Sequence, residues 1–415
     1  MFSVFKWKQT TPAIIALDIG TEFIKALVVD ISENKANILG IGKVRQNLHD
    51  IQSGAILDIA SVVQNCQEAI AEAEDNAKMK GTELIMGVAG ELIKGTTVSL
   101  NYKRENPEEK INIDELKNIV HKVQWKAFDQ VRTQISHETG HSEIDMKLVN
   151  AAIVDVRIDG YKVSSPLGFH GKEVKISVFN SFAPLIHFGA LETIAAELED
   201  LHLITILSEP YAISQALRAK KDEDPSAIYL DIGGSTSDIA IVRDGSLEGT
   251  SMFAIGGRTF TKRIARELNV SFLEAEKIKL IYSSEKLKKD DHEKIKKILK
   301  PDIDMWISAV EIALGDFQLN SMPTRIYLCG AGANLPEIKQ SLSDHPWMRH
   351  LPFSKPPTIH FASIKNIRSV TNETKKELNH EYVTPISLAS AALEFGGEES
   401  PLTTMLKRVI GIIKM

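Results

Sequence analysis

The 415-residue sequence holds only two cysteines, Cys66 and Cys329, which excludes a disulfide framework and makes a reducing compartment the expectation. No stretch approaches the roughly 18–20 apolar residues that a bilayer-spanning helix needs. The opening residues, MFSVFKWKQTTP, lack the long apolar run and small-residue cleavage site of a signal peptide. A cytoplasmic protein is expected. Net positive charge is also missing: at −6, nucleic acid is not expected as a partner. No Ser-His-Asp or Cys-His arrangement can be argued. What remains is ordinary globular material, 43% apolar and 25% charged, long enough for two to four domains.

Against that background one signature occurs twice. An apolar run ends in Asp18-Ile19-Gly20-Thr21, within AIIALDIGTEFIKALVV, and again in Asp231-Ile232-Gly233-Gly234-Ser235-Thr236, within AIYLDIGGSTSDIAIV. Each copy reads strand, tight turn, strand, with glycine where the backbone reverses. Glycine and small hydroxyl residues leave N–H groups open to phosphate oxygens, and Thr21, Ser235 and Thr236 add hydroxyl donors. The two copies suggest similar half-domains clasping one polyphosphate. An aspartate beside phosphate needs a cation between them, and Mg²⁺ is typically held by one or two carboxylates and its own waters. Asp18 and Asp231 would act through those waters. The plainer alternative is a pair of hairpins whose aspartates cap backbone amides.

Between the two copies, strand-like segments around Ala36–Val44 and ELIMGVAG flank a helical SGAILDIASVVQNCQEAIAEAEDNA. From about Gly87 to Asn180, alternating segments (TTVSLNY, LVNAAIVDVRID, EVKISVFNSF) surround one helical stretch, INIDELKNIVHKVQWKAFDQVRTQI. This pattern reads as a small inserted α+β unit. The region from Gly256 to Met322 reads as mainly helical, and SSEKLKKDDHEKIKKILK, with acids interspersed, as a solvated helix face or loop. TRIYLCGAGANLPEIKQSL reads strand, Gly-rich turn, helix, and PISLASAALEFG as a last helix before a breaker-rich linker.

In this order the motifs resemble the actin and sugar-kinase ATPase superfamily. The resemblance implies an α/β, actin-like duplicated ATPase fold, with two half-domains around a nucleotide cleft and a small inserted α+β domain. It implies ATP and Mg²⁺ as cofactors. It implies that Asp18, Gly20 and Thr21, then Gly233, Gly234, Ser235 and Thr236, hold phosphates. Gly256 and Gly257 follow, Glu276 and Lys279 on a helix contact ribose and adenine, and Gly330, Ala331 and Gly332 form the adenosine turn. Glu209 and Asp231 would be catalytic, orienting water for a hydrolysis that is slow if it occurs. Lys25 either pairs with phosphate or is a solvated strand lysine.

Within the superfamily the chain looks most like FtsA, an actin-like bacterial division family, and its relative PilM of type IV pilus machinery. VDVRIDGYKVSSPLGFHGKEVKISV is similar to the inserted domain of both, and IGGRTFTKRIARELNVSFLEAEKIKL to the FtsA segment after the second phosphate loop. Arg263 stands where the family often has an acid, and Ala331 where it has a second glycine. The implied domains are subdomain IA at 1–84 and 181–224, the inserted domain at 85–180, and IIA at 225–262 and 323–395, its last helix returning to IA. IIB spans 263–322, a linker 396–401 and an amphipathic helix 402–415.

In PLTTMLKRVIGIIKM, Leu402, Met405, Leu406, Val409, Ile410, Ile412 and Ile413 gather on a broad helical face beside Lys407, Arg408 and Lys414, with no acid. At about 21 Å the helix is too short to span a bilayer but suits its interface; the alternative is docking on the protein's own core. Phe2, Val4, Phe5 and Trp7 form a second candidate contact, or a frayed start. PilM-like proteins generally lack such a tail. The FtsA resemblance therefore implies a self-assembling protein at the cytoplasmic face of the cell membrane, peripheral to inner-membrane lipid. It would tether a ring by the tail peptide of a tubulin-like division protein and recruit other division proteins through the inserted domain. A PilM-like cytoplasmic scaffold and a sugar kinase are the rivals. His137-Glu138-Thr139-Gly140-His141 matches H-E-x-x-H, but Gly140 and the polar surroundings argue for solvated histidines, not zinc catalysis.

Overall fold

The computed structural model describes residues 13–52, 54–89, 93–139, 145–217, 224–344, 346–367 and 369–396. The N-terminal aromatic cluster, the linker beyond Gly396 and the 402–415 helix expected above lie outside the described residues.

In the first half, β1 (Ala13–Ile19), β2 (Phe23–Ser32) and β3 (Lys35–Arg45) form an antiparallel meander, followed by the short pair β4 (Ile51–Gln52) and β5 (Ala55–Ile56). Helix α1 (Ile59–Ala77) then crosses to β6 (Gly81–Val88), which lies parallel to β1. The Asp58 side chain starts α1 by accepting the Ser61 N–H at 3.0 Å, and Lys78 ends it in the left-handed region at φ 54°. Next come β7 (Lys94–Lys103), α2 (Ile113–Thr139), β8 (Met146–Ile158), β9 (Tyr161–Lys162) and β10 (Glu173–Pro184). Helix α3 (Leu185–Glu197), β11 (His202–Ser208) and α4 (Glu209–Ala216) complete this half.

The second half repeats the plan with β12 (Ala227–Ile232), β13 (Ser237–Arg243) and β14 (Ser246–Phe253), then α5 (Gly257–Leu268), α6 (Phe272–Ser283) and α7 (Lys289–Gly315). It ends with β15 (Arg325–Cys329), α8 (Pro336–Asp344), β16 (Thr358–Phe361), β17 (Val370–Asn372) and α9 (Val383–Gly396). The run β6-β1-β2-β3 in one sheet matches β15-β12-β13-β14 in the other, each with one parallel and two antiparallel pairings. That match is the duplication. Residues of SSEKLKKDDHEKIKKILK from Lys289 onward form the first turns of α7, which bury only Ile295 and Leu299 there.

Both faces of the first sheet are covered, which explains why β1 is an unbroken apolar run. Ala13, Ile15 and Leu17 join the core built with α1 and α3, whereas Ile14 and Ala16 join the core shared with α4 and α9. Helix α9 follows second-half strands yet packs on α4, β1, β2, β3 and β6, tying the two halves together. The inserted strands pack α2 against β7, β8 and β10 through Leu116, Ile119, Val120 and Val123. The sequence pattern sets this unit inside the first half, yet hydrogen bonding joins it to the second. Gly95 and Thr96 of β7 pair with Thr250 and Gly249 of β14, so one nine-stranded sheet runs through both.

Candidate functional site

The two hairpin turns face each other across a cleft of about 380 Å³. It is lined by Asp18, Gly20 and Thr21 from the first turn, Asp231, Gly233, Gly234 and Thr236 from the second, and Glu209 at the start of α4. Gly257, Glu276 and Lys279 line it from α5 and α6, and Gly330, Ala331 and Gly332 from the turn after β15. Two residues expected at the site do not line it. Ser235 instead meets Thr21, hydroxyl to hydroxyl at 2.8 Å, locking the turns together. Gly256 lies behind the second turn, where a Cβ would sit 2.8 Å from both the Gly233 oxygen and the Thr236 nitrogen. The tail residues Leu402, Met405, Leu406, Lys407, Arg408, Val409, Ile410, Ile412 and Ile413 lie outside the described residues.

The hairpin register places one further residue opposite each aspartate, and the two differ. Asp18 faces Lys25, whose ammonium donates to its carboxylate at 3.1 Å. Lys25 is therefore a buried partner of Asp18, not a solvated strand lysine. Burial pulls its pKa down, but Asp18, Asp231 and Glu209 outweigh burial and leave it raised. At the equivalent place Asp231 faces Asp238, a like charge directly across the strands. Asp231 also accepts the Thr384 hydroxyl at 2.5 Å. Burial raises the Asp231 carboxyl, opposed by Thr384 and Lys25. Glu209 is pushed well above the ordinary carboxylate range by burial, then by Asp18, Asp231 and Asp238.

Asp238 is pushed up to about 8, first by burial and then by Asp231. A carboxyl raised on folding adds stability below its ordinary value of 3.8, and that stability is lost as pH rises through about 8. The nucleotide-free protein is expected to lose Tm more steeply than its Asp238→Asn variant between about pH 4 and pH 8. Parallel Tm profiles for the two proteins would contradict this account of Asp238.

Around the mouth, Arg258 of α5 reaches across to the first half. Its guanidinium donates to Glu22 Oε2 at 2.8 Å, the Thr21 carbonyl at 2.7 Å and the Leu48 carbonyl at 3.1 Å. Glu22 also takes the Arg45 guanidinium, so one carboxylate joins both halves at the edge of the turns. On the far side Glu276 and Lys279 pair at 2.9 Å, and Lys279 donates to the Gly257 carbonyl at 2.9 Å and to Thr261 Oγ1 at 2.8 Å. Arg263 points away from the cleft and pairs with buried Asp302, so its departure from the family pattern falls on a structural ion pair.

Sequence reasoning did not single out Asp238, Thr384, Glu22 or Arg258. Asp238 was readable in principle, because it stands seven residues after Asp231 as Lys25 does after Asp18. Thr384 carried no local signal, since its role comes from α9 crossing back to the first half. Among the described residues, no group of three or more His, Cys, Asp or Glu side chains is placed to hold a metal ion by itself. Residues 137–139 of the H-E-x-x-H stretch end α2, and Gly140 and His141 lie outside the described residues. No helix among the described residues is long and apolar enough to cross a membrane.

The repeated hairpins, the cleft between them and the returning α9 define an actin-like duplicated α/β protein. A solved structure of a PilM–PilN type IV pilus biogenesis complex shares this fold with a TM-score of 0.65, at 17% identity, over 92% of this chain and 98% of that one. In sequence the chain is FtsA-like, and its homology is to cell division proteins. The family model described as cell division protein FtsA matches residues 228–392. The FtsA of Enterococcus hirae is 22% identical over 353 residues, covering 79% of this chain and 75% of the relative. The FtsA of Neisseria meningitidis serogroup B is 27% identical over 284 residues, covering 66% of this chain and 62% of the relative. That of Bacillus subtilis is 26% identical over 269 residues, covering 64% and 57%. The chain thus spans less than two thirds of the Neisseria and Bacillus relatives.

Proposed function

We propose that the cleft binds ATP with Mg²⁺ and that the protein is an actin-like scaffold of cell division, at most a slow ATPase. The observation that carries this reading is the pair of glycine turns locked face to face by Thr21 and Ser235 beside Asp18, Lys25, Glu209 and Asp231. Asp18, Glu209, Asp231 and Asp238 crowd around Lys25, a local surplus of acid whose ionised forms are disfavoured there. A divalent cation with its waters fits that surplus, and Asp18 and Asp231 would hold those waters. Mg²⁺ would screen the phosphate charge. Backbone N–H groups of Gly20, Gly233 and Gly234, with Lys25, would hold phosphate oxygens. Glu209 would orient the attacking water. Glu276 and Lys279 would face the ribose, and the Gly330–Gly332 turn the adenine. Calorimetric titration with Mg-ATP tests the whole site; no heat would refute it.

The outward role rests on the FtsA homology and on the sequence of the tail. Residues 402–415 would lie in the membrane interface, each basic residue adding about 1 kcal/mol on anionic lipid. One such helix holds weakly, so head-to-tail assembly would strengthen attachment through avidity. The membrane-bound polymer would then tether a tubulin-like division protein by its tail peptide and recruit further division proteins through the inserted domain. The full chain is expected to float with anionic liposomes, and a chain ending at Glu399 to stay in the soluble fraction. Equal flotation of both would remove the tail from the argument; failure of both to float would favour the PilM-like scaffold.

A further inference from the structure

One buried hydrogen bond links the inserted unit to the acid expected to orient water. Asn150 sits in β8, 6% exposed, and its side-chain oxygen accepts the backbone N–H of Ser208 at 3.1 Å. Ser208 is fully buried and is the N-cap of α4, yet its hydroxyl makes no capping bond. The first residue of α4 is Glu209, whose carboxylate lies over Gly87 of β6. A Cβ at Gly87 would come within 2.7 Å of Glu209 Oε1, so the space for this carboxylate is tightly set. The Ser208 amide at the start of α4 is therefore held by a side chain of the inserted unit.

The surroundings are polar beyond what packing requires. Ser181 of β10 is the cross-strand partner of Asn150, so both side chains share a face of the sheet. Asn150 Nδ2, Ser181 Oγ and Ser208 Oγ are all buried without a hydrogen-bond partner among the described residues.

We propose that Asn150 is a positioning residue for Glu209, through which the inserted unit sets the geometry of the cleft. The tie from β8 holds the Ser208 amide, the amide holds the first turn of α4, and that turn aims Glu209 past Gly87. A partner that strains β8 would then alter the site without touching it. This inference rests on the nucleotide reading above.

Two measurements on the full chain test it. In Asn150→Leu, amide hydrogen exchange over residues 205–213 is expected to rise by about tenfold, the loss of one buried hydrogen bond. Exchange over α2, in the core of the inserted unit, is expected to stay unchanged. Asn150→Ala serves as a second variant should leucine prevent folding, and Ser181→Ala as the neighbour that leaves the tie intact. The second measurement is a double-mutant cycle on Mg-ATP affinity with Glu209→Gln. Asn150→Leu is expected to change Kd by about 3–10-fold in the wild-type background and by less than about twofold beside Glu209→Gln. Unchanged exchange at 205–213 would overturn the proposal, and so would equal Kd effects in both backgrounds. If the wild-type chain binds no Mg-ATP, the nucleotide reading fails by itself and the exchange result alone decides whether Asn150 holds α4.

Discussion

Replacing Asp231 by alanine is expected to lower Mg-ATP affinity by at least about 100-fold, a loss of about 2.7 kcal/mol. The carboxylate lines the cleft. It faces Asp238 across the hairpin, takes the Thr384 hydroxyl, and stands within the influence of Lys25. Alanine also strands the Thr384 hydroxyl, so Asp231→Asn is the cleaner variant for separating binding from folding. Asparagine keeps an acceptor for Thr384 and removes a charge that burial disfavours. Its Tm without nucleotide is expected to equal or exceed that of the wild type, while Mg-ATP affinity falls as in the alanine variant. Unchanged affinity in both variants, measured by calorimetry, would refute the placement of the cation at Asp231.

Gly330→Ala is expected to cost about 3 kcal/mol or more and to remove nucleotide binding with it. Gly330 has φ +78°, and a Cβ there would lie 2.2 Å from Asp231 Oδ1 and 2.4 Å from the Ile232 carbonyl oxygen. The backbone strain and the clash act together, and the clash falls on the carboxylate that the site depends on. Gly168 provides a control in the same molecule. Its φ is +80°, but a Cβ there would meet nothing within 4 Å. Gly168→Ala is therefore expected to cost only the left-handed backbone, about 1 kcal/mol. Thermal unfolding of the two variants reads the difference, roughly 4–8 °C by the usual scaling for large domains. Equal Tm losses would show that the approach of Gly330 to Asp231 is not tight. The neighbouring Ala331 departs from the family's paired glycines without harm, since it is absent from the residues with positive φ.

Much of the architecture was legible along the chain because it depends on local pattern. The apolar runs ending in Asp-Ile-Gly mark hairpins that the backbone confirms residue for residue, with Ile19 opposite Ile24 and Ile232 opposite Ser237. The helical pattern read over 53–77 and 111–135 survives as α1 at Ile59–Ala77, its first residues instead forming β5, and as α2 at Ile113–Thr139, and the charged stretch before Pro301 becomes a solvated helix. The site was legible where glycine and aspartate mark a turn that few other residues could make. Lys25 was ambiguous because a strand lysine reads the same whether it meets solvent or a carboxylate. Only its partner, Asp18, distinguishes the two.

From the order of residues alone came the duplication, the two glycine turns and their aspartates, and the inserted unit between them, because each is written in short-range periodicity and turn chemistry. Tertiary structure alone decided that Thr384 reaches Asp231, that Arg258 ties the halves through Glu22, that the inserted sheet continues the second half and that Asn150 holds the start of α4. Each of those contacts joins residues more than 50 positions apart. Such pairings are set by how helices and sheets pack to bury their apolar faces, a condition on the whole chain that no local window contains.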